Sequence, residues 1–160
     1  MRGSYILVID LAESLSLEVG RLGTCHFPAG LYLYCGSAMN GLQGRIRRHI
    51  RQDKKLHWHI DRLTASARIS EVWWLVSGER WECRWAEAIA RMGGEAVARG
   101  FGSSDCRCST HLLRLENEAG LAETRERFYQ DAGAGRHGVW VADEKQNSQS
   151  FALREYLPDE

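Results

Sequence analysis

The sequence contains no hydrophobic run long enough to cross a membrane. Apolar strings such as residues 5–9 are far shorter than the roughly 20 apolar residues that a membrane-spanning helix needs. The amino terminus also lacks the charged, then apolar, then small-residue arrangement of a secretory signal peptide. Both absences argue against a membrane or exported protein, and we expect a soluble, cytoplasmic one.

The sequence also lacks net charge, with 21 basic and 21 acidic residues. A balance of zero argues against a protein that coats nucleic acid through bulk charge. The charges are nevertheless unevenly distributed, because residues 45–63 carry seven bases against two acids and residues 114–160 carry six bases against ten acids. This asymmetry fits either a focused contact with phosphate groups or an ordinary solvated helix face.

Cysteine occurs five times, an odd number in a chain without an export signal. Two of the cysteines, Cys106 and Cys108, are too close in sequence for a relaxed disulfide. We therefore expect reduced thiols or metal ligands. Cys83, Cys106, Cys108 and His111 are candidate zinc ligands, but their spacing is tighter than that of the usual paired-cysteine site, so thiols without zinc are the preferred interpretation.

The pattern of apolar residues predicts one α/β domain of the α+β type. The 160 residues, 44% of them hydrophobic, can bury one core, and the order of elements predicts a small, mainly antiparallel sheet flanked by helices. Leucine and tyrosine alternate in residues 30–36, so Leu31 and Leu33 should lie on one face of a strand and Tyr32 and Tyr34 on the other. The predicted strands are residues 3–11, 30–36, 71–76, the last part of 100–115 and 138–142. The predicted helices are residues 40–50, 57–67, 80–92 and 118–130, and Asn40 is the predicted cap of the first. Residues 12–29 are predicted as a long loop.

Four polar and small residues follow one another at defined intervals in the string YCGSAMNGLQGRIRRH, which begins at Tyr34. A glycine lies two residues after the tyrosine, Arg45 lies on the predicted helix, and His49 follows one helical turn later. The string YCG at residues 34–36 resembles the second half of the signature of the GIY-YIG nuclease superfamily, and GSY at residues 3–5 resembles the first half. The spacing of the arginine and histidine is similar to that of the superfamily's helix residues.

The resemblance extends over residues 3–115 and points to one branch of that superfamily. This branch is described only as a domain of unknown function and is sometimes fused to endonuclease III-type repair enzymes. The similar strings are GSYILVIDL, FPAGLYLYCGSA, GRIRRH, LHWHIDRL, WECRWA and GFGSSDCRCSTHL, in this order. The resemblance predicts a GIY-YIG-like domain over residues 1–115 and an acidic extension over residues 116–160 that packs on this domain or trails from it.

The chain departs from the superfamily pattern at several positions. Between Tyr5 and Tyr34 there are 28 residues, where the superfamily usually has a short hairpin. Tyr32 is closer in sequence but lies on the same predicted strand as Tyr34, so Tyr5 is the preferred partner. For the helix acid, Glu82 matches better than Glu87, because large or apolar residues follow it three and four positions later. The superfamily's distal asparagine has no clear counterpart.

The resemblance implies a metal-dependent endonuclease that hydrolyses DNA phosphodiester bonds, with a role in DNA repair and DNA-repair proteins as partners. Glu82 would hold one Mg²⁺ or Mn²⁺ ion, and Arg45 would hold the phosphate oxygens. Tyr5 or Tyr34 would position or deprotonate water, which requires Arg45 or the metal to lower the phenol pKa from about 10. The implied catalytic residues are Tyr5, Tyr34, Arg45, Glu82 and, for proton transfer, His49 or His57; the implied substrate-binding residues are Gly36, Ser37, Arg48, Lys54 and Lys55.

Two other functions stay open. One is a non-catalytic nucleic-acid-binding module that accompanies a repair complex, although a pure binder has no need of a carboxylate such as Glu82 in a basic groove. The other is a zinc-stabilised interaction domain built on the cysteine cluster. Each proposed site residue also has an ordinary structural explanation on its own, so the nuclease hypothesis rests on their joint spacing.

Two smaller features also have two interpretations each. Gly36 either lets the backbone approach substrate or adopt a positive φ, or simply forms a turn at the strand end. His57 and Asp61 lie one helical turn apart if their segment is helical, so they form either an oriented catalytic pair or a surface hydrogen-bonded pair.

Overall fold

A computed structural model describes residues 1–142 as a five-stranded antiparallel sheet with helices on both faces and a separate two-stranded hairpin. The strands are β1 (Gly3–Leu11), β2 (Leu15–Glu18), β3 (Thr24–Phe27), β4 (Gly30–Ala38), β5 (Arg68–Val76), β6 (Leu112–Leu115) and β7 (His137–Val141), and the helices are α1 (Leu42–Ile50), α2 (His59–Thr64), α3 (Glu82–Arg91) and α4 (Glu118–Ala132). The order in the sheet is β6-β4-β1-β5-β7, and β2 pairs with β3. The predicted α+β class is confirmed. None of the helices in residues 1–142 is long and apolar enough to span a membrane.

The central strand β1 is buried on both faces because its alternate side chains enter two different cores. Tyr5, Leu7 and Ile9 belong to one core together with residues of α1 and α2, which we call the α1–α2 core. Ile6 and Val8 belong to the other core with residues of α3 and α4, which we call the α3–α4 core. The sheet is therefore the middle layer between two layers of helices.

The alternation predicted for β4 is confirmed. Tyr32 and Tyr34 face the α1–α2 core, whereas Leu31 and Leu33 face the α3–α4 core. The apolar stripe predicted for the first helix is confirmed as well, because Leu42, Ile46 and Ile50 of α1 are buried in the α1–α2 core. Both tyrosines of β4 consequently lie on the same face of the sheet as Tyr5 of β1.

The prediction of a loop over residues 12–29 was wrong, because this segment contains the β2–β3 hairpin. Leu15 lies opposite Phe27 in the hairpin, and both pack against the α1–α2 core. The intervening positions Ser16, Glu18 and His26 are exposed. These strands are only four residues long and half exposed, so their alternation is too short to stand out in the sequence.

The boundaries of several other elements also differ from the prediction by one to three residues. Helix α1 begins after Gly41, and no side chain caps it, whereas Asn40 was the predicted cap. Helix α2 begins at His59, two residues later than predicted. Strand β5 begins at Arg68, three residues earlier than predicted, because Arg68 and Ile69 pair with the end of β1 beyond a register shift.

The start of α2 is fixed by the carboxylate of Asp61, which is fully buried. This carboxylate accepts hydrogen bonds from the backbone N–H groups of His57 and Trp58, each at 2.8 Å. Arg48 of α1 donates two further hydrogen bonds to it, at 2.8 and 2.9 Å. Burial alone would raise the pKa of Asp61, but these donors outweigh burial and lower the pKa to about 2. Asp61 therefore ties α2 to α1.

The described part of the acidic C-terminal segment joins the same sheet. Strand β7, close to the predicted strand at residues 138–142, pairs with β5 as the fifth strand. Helix α4 contributes Leu121, Phe128 and Ala132 to the α3–α4 core. The rest of the predicted extension, residues 143–160, lies outside the described residues.

The substitution Asp61→Asn should lower the free energy of unfolding by about 3 kcal/mol, because it leaves the Arg48 guanidinium without its buried anionic partner. Denaturant unfolding of the full chain measures this change. The matched control is Asp53→Asn, since Asp53 is exposed on the segment between α1 and α2, and its effect should stay within about 0.5 kcal/mol. Equal effects of the two substitutions would contradict the structural role of Asp61.

Candidate functional site

A cleft of about 500 Å³ lies at the edge of the sheet where β1 begins and β4 ends. These two ends meet because the strands are antiparallel, with Gly3 opposite Ala38. The structure brings all six predicted catalytic residues to this cleft, together with two of the predicted substrate-binding residues, Gly36 and Ser37. The lining residues are Tyr5, Tyr34, Cys35, Gly36, Ser37, Met39, Asn40, Arg45, His49, His57, Trp58, His59, Arg80, Glu82, Gly102, Ser104, Asp105 and His111.

Tyr5 lies directly against Gly36 of the neighbouring strand. The two residues are register partners, and a Cβ atom added to Gly36 would lie 2.5 Å from both Cζ and Oη of Tyr5. A contact this short leaves no room for any side chain at this position. The reason for the glycine is therefore the phenol ring. Of the interpretations left open for Gly36, a positive φ is excluded, since Gly36 is not among the glycines with positive φ.

The buried hydroxyl of Tyr5 forms a hydrogen bond with Nε2 of His49, at 2.7 Å. His49 is itself 1% exposed and packs against the rings of Tyr5, Tyr34 and Trp58. Burial, assisted by the positive charge of Lys54, lowers the pKa of His49 to about 3. The imidazole is therefore neutral near pH 7, and the lone pair of one ring nitrogen can accept a hydrogen bond from the phenol hydroxyl. Its other nitrogen, Nδ1, has no hydrogen-bond partner among residues 1–142.

Both tyrosine hydroxyls are protonated in this cleft at neutral pH. Burial raises the pKa of Tyr5 well above its usual value, and the charge of Arg45 opposes this shift without reversing it. Burial likewise raises the pKa of Tyr34, again against the effect of Arg45. The expectation that Arg45 would lower a phenol pKa is therefore not met by the protein groups alone, because the loss of solvation outweighs the nearby charge.

Two arginines of α1 stack on the indole of Trp58, which precedes α2. The guanidinium carbon of Arg45 lies 4.2 Å from the ring centroid, and that of Arg48 lies 4.0 Å from it. The guanidinium of Arg48 donates hydrogen bonds to the carboxylate of Asp61 and to the backbone carbonyl of Lys55. Within residues 1–142, Arg45 has no acidic partner at ion-pair distance, so its charge is available to an anion in the cleft.

Glu82 enters the cleft from the first residue of α3 and is 8% exposed. One carboxylate oxygen accepts a hydrogen bond from the hydroxyl of Ser37 on β4, and that hydroxyl lies 2.7 Å from the hydroxyl of Ser4 on β1. The backbone N–H of Trp81 donates to Ser4 at 3.0 Å. The other carboxylate oxygen lies 3.7 Å from the guanidinium of Arg80. This chain of hydrogen bonds fixes the carboxylate of Glu82 to β4 and, through Ser37, to β1.

The structure distinguishes the two candidate acids of α3. Most of this helix packs on the α3–α4 core, on the face of the sheet opposite α1, and only its first turn reaches the edge where the cleft lies. Glu87 is exposed, pairs with Arg91 one turn later and does not line the cleft. Glu82 is therefore the carboxylate that shares the cleft with Arg45.

Three of the predicted substrate-binding residues are not part of the cleft lining. Arg48 is paired with Asp61. The ammonium group of Lys54 donates to the backbone carbonyl of His49 and to the hydroxyl of Thr64, at 2.5 and 2.9 Å. Lys55 is exposed outside the cleft. The strongly basic stretch of the sequence thus partly serves to hold α1 and α2 together.

The predicted pairing of the His57 imidazole with Asp61 is not formed. His57 precedes α2 instead of lying in its first turn, and Asp61 accepts the backbone N–H of His57. Three further residues that support or line the cleft, Trp58, Ser4 and Arg80, were not predicted from the sequence. A tryptophan one residue from two histidines was the available signal for Trp58, whereas nothing in the local sequence marked the serine.

A second group of polar side chains adjoins the cleft. Cys83, Cys106, Cys108 and His111 each offer one ligand atom, and these four atoms all lie within 4.8 Å of one another. Three thiols and an imidazole could bind a metal ion, and soft sulfur ligands suit zinc far better than magnesium or manganese. Cys83 lies on α3, whereas Cys106, Cys108 and His111 lie just before β6, so the tight spacing of these last three does not by itself exclude a zinc site.

A family model described as Domain of unknown function DUF123 matches residues 4–134, most of the chain. The match confirms the prediction of a domain of unknown function, while its placement as a branch of the GIY-YIG nucleases stays a prediction. No curated protein and no solved structure matches the chain significantly.

The substitution Gly36→Ala should destabilise the fold, because the new methyl group would overlap the Tyr5 ring and force it from its place. We expect a loss of about 1–3 kcal/mol in the free energy of unfolding, as for other overpacked positions. Gly44→Ala is the matched control, since Gly44 lies on α1 with no atom within 4 Å of an added Cβ and should gain up to about 1 kcal/mol. A neutral or stabilising Gly36→Ala would contradict the packing described.

The low pKa of His49 predicts a dependence of stability on pH. Between its usual value of 6.5 and the folded value of about 3, the unfolded chain binds a proton at His49 that the folded protein does not. The free energy of unfolding is therefore at its full value, as far as His49 is concerned, above pH 6.5. It falls on acidification below this pH, by at most about 1.4 kcal/mol per pH unit. Denaturant unfolding between pH 7 and pH 4 should give a shallower loss for His49→Gln than for the wild-type protein, and equal slopes would refute a neutral, buried His49.

Proposed function

We propose that this chain, which belongs to the family described as Domain of unknown function DUF123, is a divalent-cation-dependent endonuclease that hydrolyses DNA phosphodiester bonds. The observation that carries the proposal is a buried carboxylate, Glu82, in the same cleft as an arginine without an acidic partner, Arg45. The resemblance of the tyrosine-containing strands to GIY-YIG nucleases supports the same reaction and the choice of DNA as substrate.

Arg45 is the residue suited to grip the phosphate. Stacking on Trp58 holds the plane of the guanidinium, so its N–H donors are directed along that plane and lose little freedom when an anion binds. Paired N–H donors match the oxygens of a phosphate group. As water attacks phosphorus and negative charge builds up on these oxygens, a fixed donor stabilises the transition state more than the ground state.

The tyrosines act as protonated hydrogen-bonding groups. When Nε2 of His49 accepts a hydrogen bond from the Tyr5 hydroxyl, the lone pairs of the phenol oxygen are left to accept a hydrogen bond from the attacking water. Tyr34 keeps its proton and can donate it in a hydrogen bond to a phosphate oxygen. His49 acts through Tyr5 and is therefore a positioning residue, while His57 lies exposed at the rim of the cleft.

Glu82 and its surroundings fit a hard divalent cation such as Mg²⁺ or Mn²⁺. Magnesium in phosphoryl-transfer sites is held by one or two carboxylates together with substrate phosphates and water, so a single carboxylate is a sufficient protein ligand. The hydrogen bond from Ser37 orients this carboxylate. The cation would neutralise the negative charge that develops during attack on the phosphate. Glu82 would hold the cation, and Arg45 would hold the substrate.

The DNA-repair setting and repair proteins as partners rest on the resemblance alone. The unpaired positive charge at the cleft comes from Arg45, because Arg80 lies at ion-pair distance from Glu82, and Arg48 and Lys54 are engaged by other groups of the protein. This small number of free charges favours a focused contact with one phosphodiester over extended coating of a duplex, and predicts a shallow salt dependence of binding.

The substitution Glu82→Gln should abolish cleavage with Mg²⁺ or Mn²⁺ while DNA affinity stays the same or rises slightly. The amide keeps the size of the side chain and removes the charge that holds the cation. Glu87→Gln on the same helix is the matched control and should cleave at the wild-type rate. The measurements are cleavage of single-stranded, duplex, flapped and junction DNA, together with equilibrium binding of the same substrates.

Arg45→Ala should impair both activities, and cleavage more than binding. Loss of a preorganised donor to the transition state should slow cleavage on the order of 10²-fold or more, whereas binding should weaken by one phosphate contact and become less dependent on salt. Arg47→Ala, on the same helix but outside the cleft lining, is the control. A wild-type protein that binds DNA, cleaves none of these substrates with either ion and binds equally well after Glu82→Gln would refute the enzyme and favour the accessory binding module.

A further inference from the structure

We propose that Cys83, Cys106, Cys108 and His111 hold a structural zinc ion that fixes the first turn of α3 to the loop between α3 and β6. This ion is distinct from the cation assigned to Glu82, because its ligands are three sulfurs and one nitrogen instead of oxygens. The zinc site does not depend on the proposed nuclease activity.

The spacing of the ligand atoms fits tetrahedral zinc. With Zn–S and Zn–N bonds of about 2.3 and 2.05 Å, a tetrahedral ion places sulfur and nitrogen about 3.6 Å apart. Nε2 of His111 lies 3.6 Å from Sγ of Cys83 and 3.5 Å from Sγ of Cys106. All four ligand atoms lie within 4.8 Å of one another, so small side-chain movements bring the remaining sulfur to the same distance.

The number and type of the ligands indicate a structural ion. Four protein ligands fill a tetrahedral site and leave no position for water or substrate, which is the arrangement of structural zinc, whereas catalytic zinc keeps one position open. All five cysteines of the chain are free thiols, so none of the three sulfurs is committed to a disulfide. His111 is 3% exposed, and the three cysteines are partly buried, which limits the access of solvent to the ion.

The ion would stabilise the long loop between α3 and β6. Residues 92–111 contain no helix or strand apart from one bridge between Glu95 and Arg114. A loop of this length inside a small domain needs anchors to adopt one conformation. Three of the ligands lie on this loop and the fourth lies on α3. The ion would therefore join the C-terminal half of the loop to helix α3.

The same connection would set one wall of the cleft. Cys83 directly follows Glu82 in α3, and His111 is itself a lining residue. Gly102 of the loop packs on Tyr34, since an added Cβ would lie 2.8 Å from Cε2 of that ring, and its backbone N–H donates to Nδ1 of His59 at 3.2 Å. The zinc ion would therefore hold the loop against the tyrosine and hold α3 in the position that places Glu82 in the cleft.

Elemental analysis of the full chain, produced in zinc-containing medium under reducing conditions, should find one zinc per chain. After removal of zinc with a chelator, titration with Co²⁺ should give the visible absorption bands of a tetrahedral thiolate site, and these bands should saturate at one equivalent. Cys106→Ser and Cys108→Ser should each lower the bound zinc to well below one equivalent. Cys25→Ser is the matched control, because Cys25 lies on β3 away from the cluster, and it should retain the full zinc content.

Hydrogen exchange tests the structural role separately. Removal of zinc from the wild-type protein should speed amide exchange in residues 100–111 and in the first turn of α3, and should leave the β2–β3 hairpin unchanged. Wild-type protein without bound zinc and without tetrahedral Co²⁺ bands would overturn the zinc site, even if Cys106→Ser failed to fold. Bound zinc whose removal left exchange unchanged would overturn its structural role. Zinc bound at one equivalent in a protein without nuclease activity would refute the proposed function and leave this site standing.

Discussion

The packing of the Tyr5 ring on the bare backbone of Gly36 is the contact on which the cleft depends. It joins β1 to β4 in a register that leaves Tyr5 and Tyr34 on the same face. A slip of one residue would turn every side chain of a strand to the opposite face, moving apolar groups out of one core and into the other. The two cores on either side of β1 therefore enforce the register, and the register in turn places the phenol beside His49. Stability and site geometry are determined here by the same contact.

Two neighbouring arginines of α1 show how tertiary partners separate structural from functional charges. Arg45 and Arg48 both stack on Trp58. The carboxylate of Asp61 neutralises Arg48, and this ion pair joins α2 to α1, whereas Arg45 has no such partner within residues 1–142. A protein with zero net charge can in this way present positive charge at one point. The buried carboxylate of Glu82 across the cleft adds the opposite charge, and such a combination suits a phosphate group that is held together with a cation.

Consecutive residues at the start of α3 have different preferences for metals. Glu82 presents hard carboxylate oxygens to the cleft, and Cys83 presents a soft sulfur to the cysteine and histidine cluster. Two ions of different character could therefore be held one residue apart without competing for ligands. In the proposed arrangement the zinc ion fixes the helix end, and the helix end fixes the carboxylate that the catalytic cation requires. The precision of the cleft would then depend on a loop that has little regular structure of its own.

Local patterns in the sequence were sufficient to predict the sheet strands, the buried stripe of α1 and the two faces of β4, because alternation and helical periodicity depend only on near neighbours. The same patterns, with the resemblance, selected the six residues that the cleft brings together. Only the tertiary structure decided that Arg48 and Lys54 are paired within the protein, that Gly36 makes room for a ring, and that the sulfur of Cys83 lies within 4.8 Å of the other three candidate ligand atoms. Each of these depends on a partner from another element, and the identity of that partner is set by how the layers pack, which no local pattern encodes.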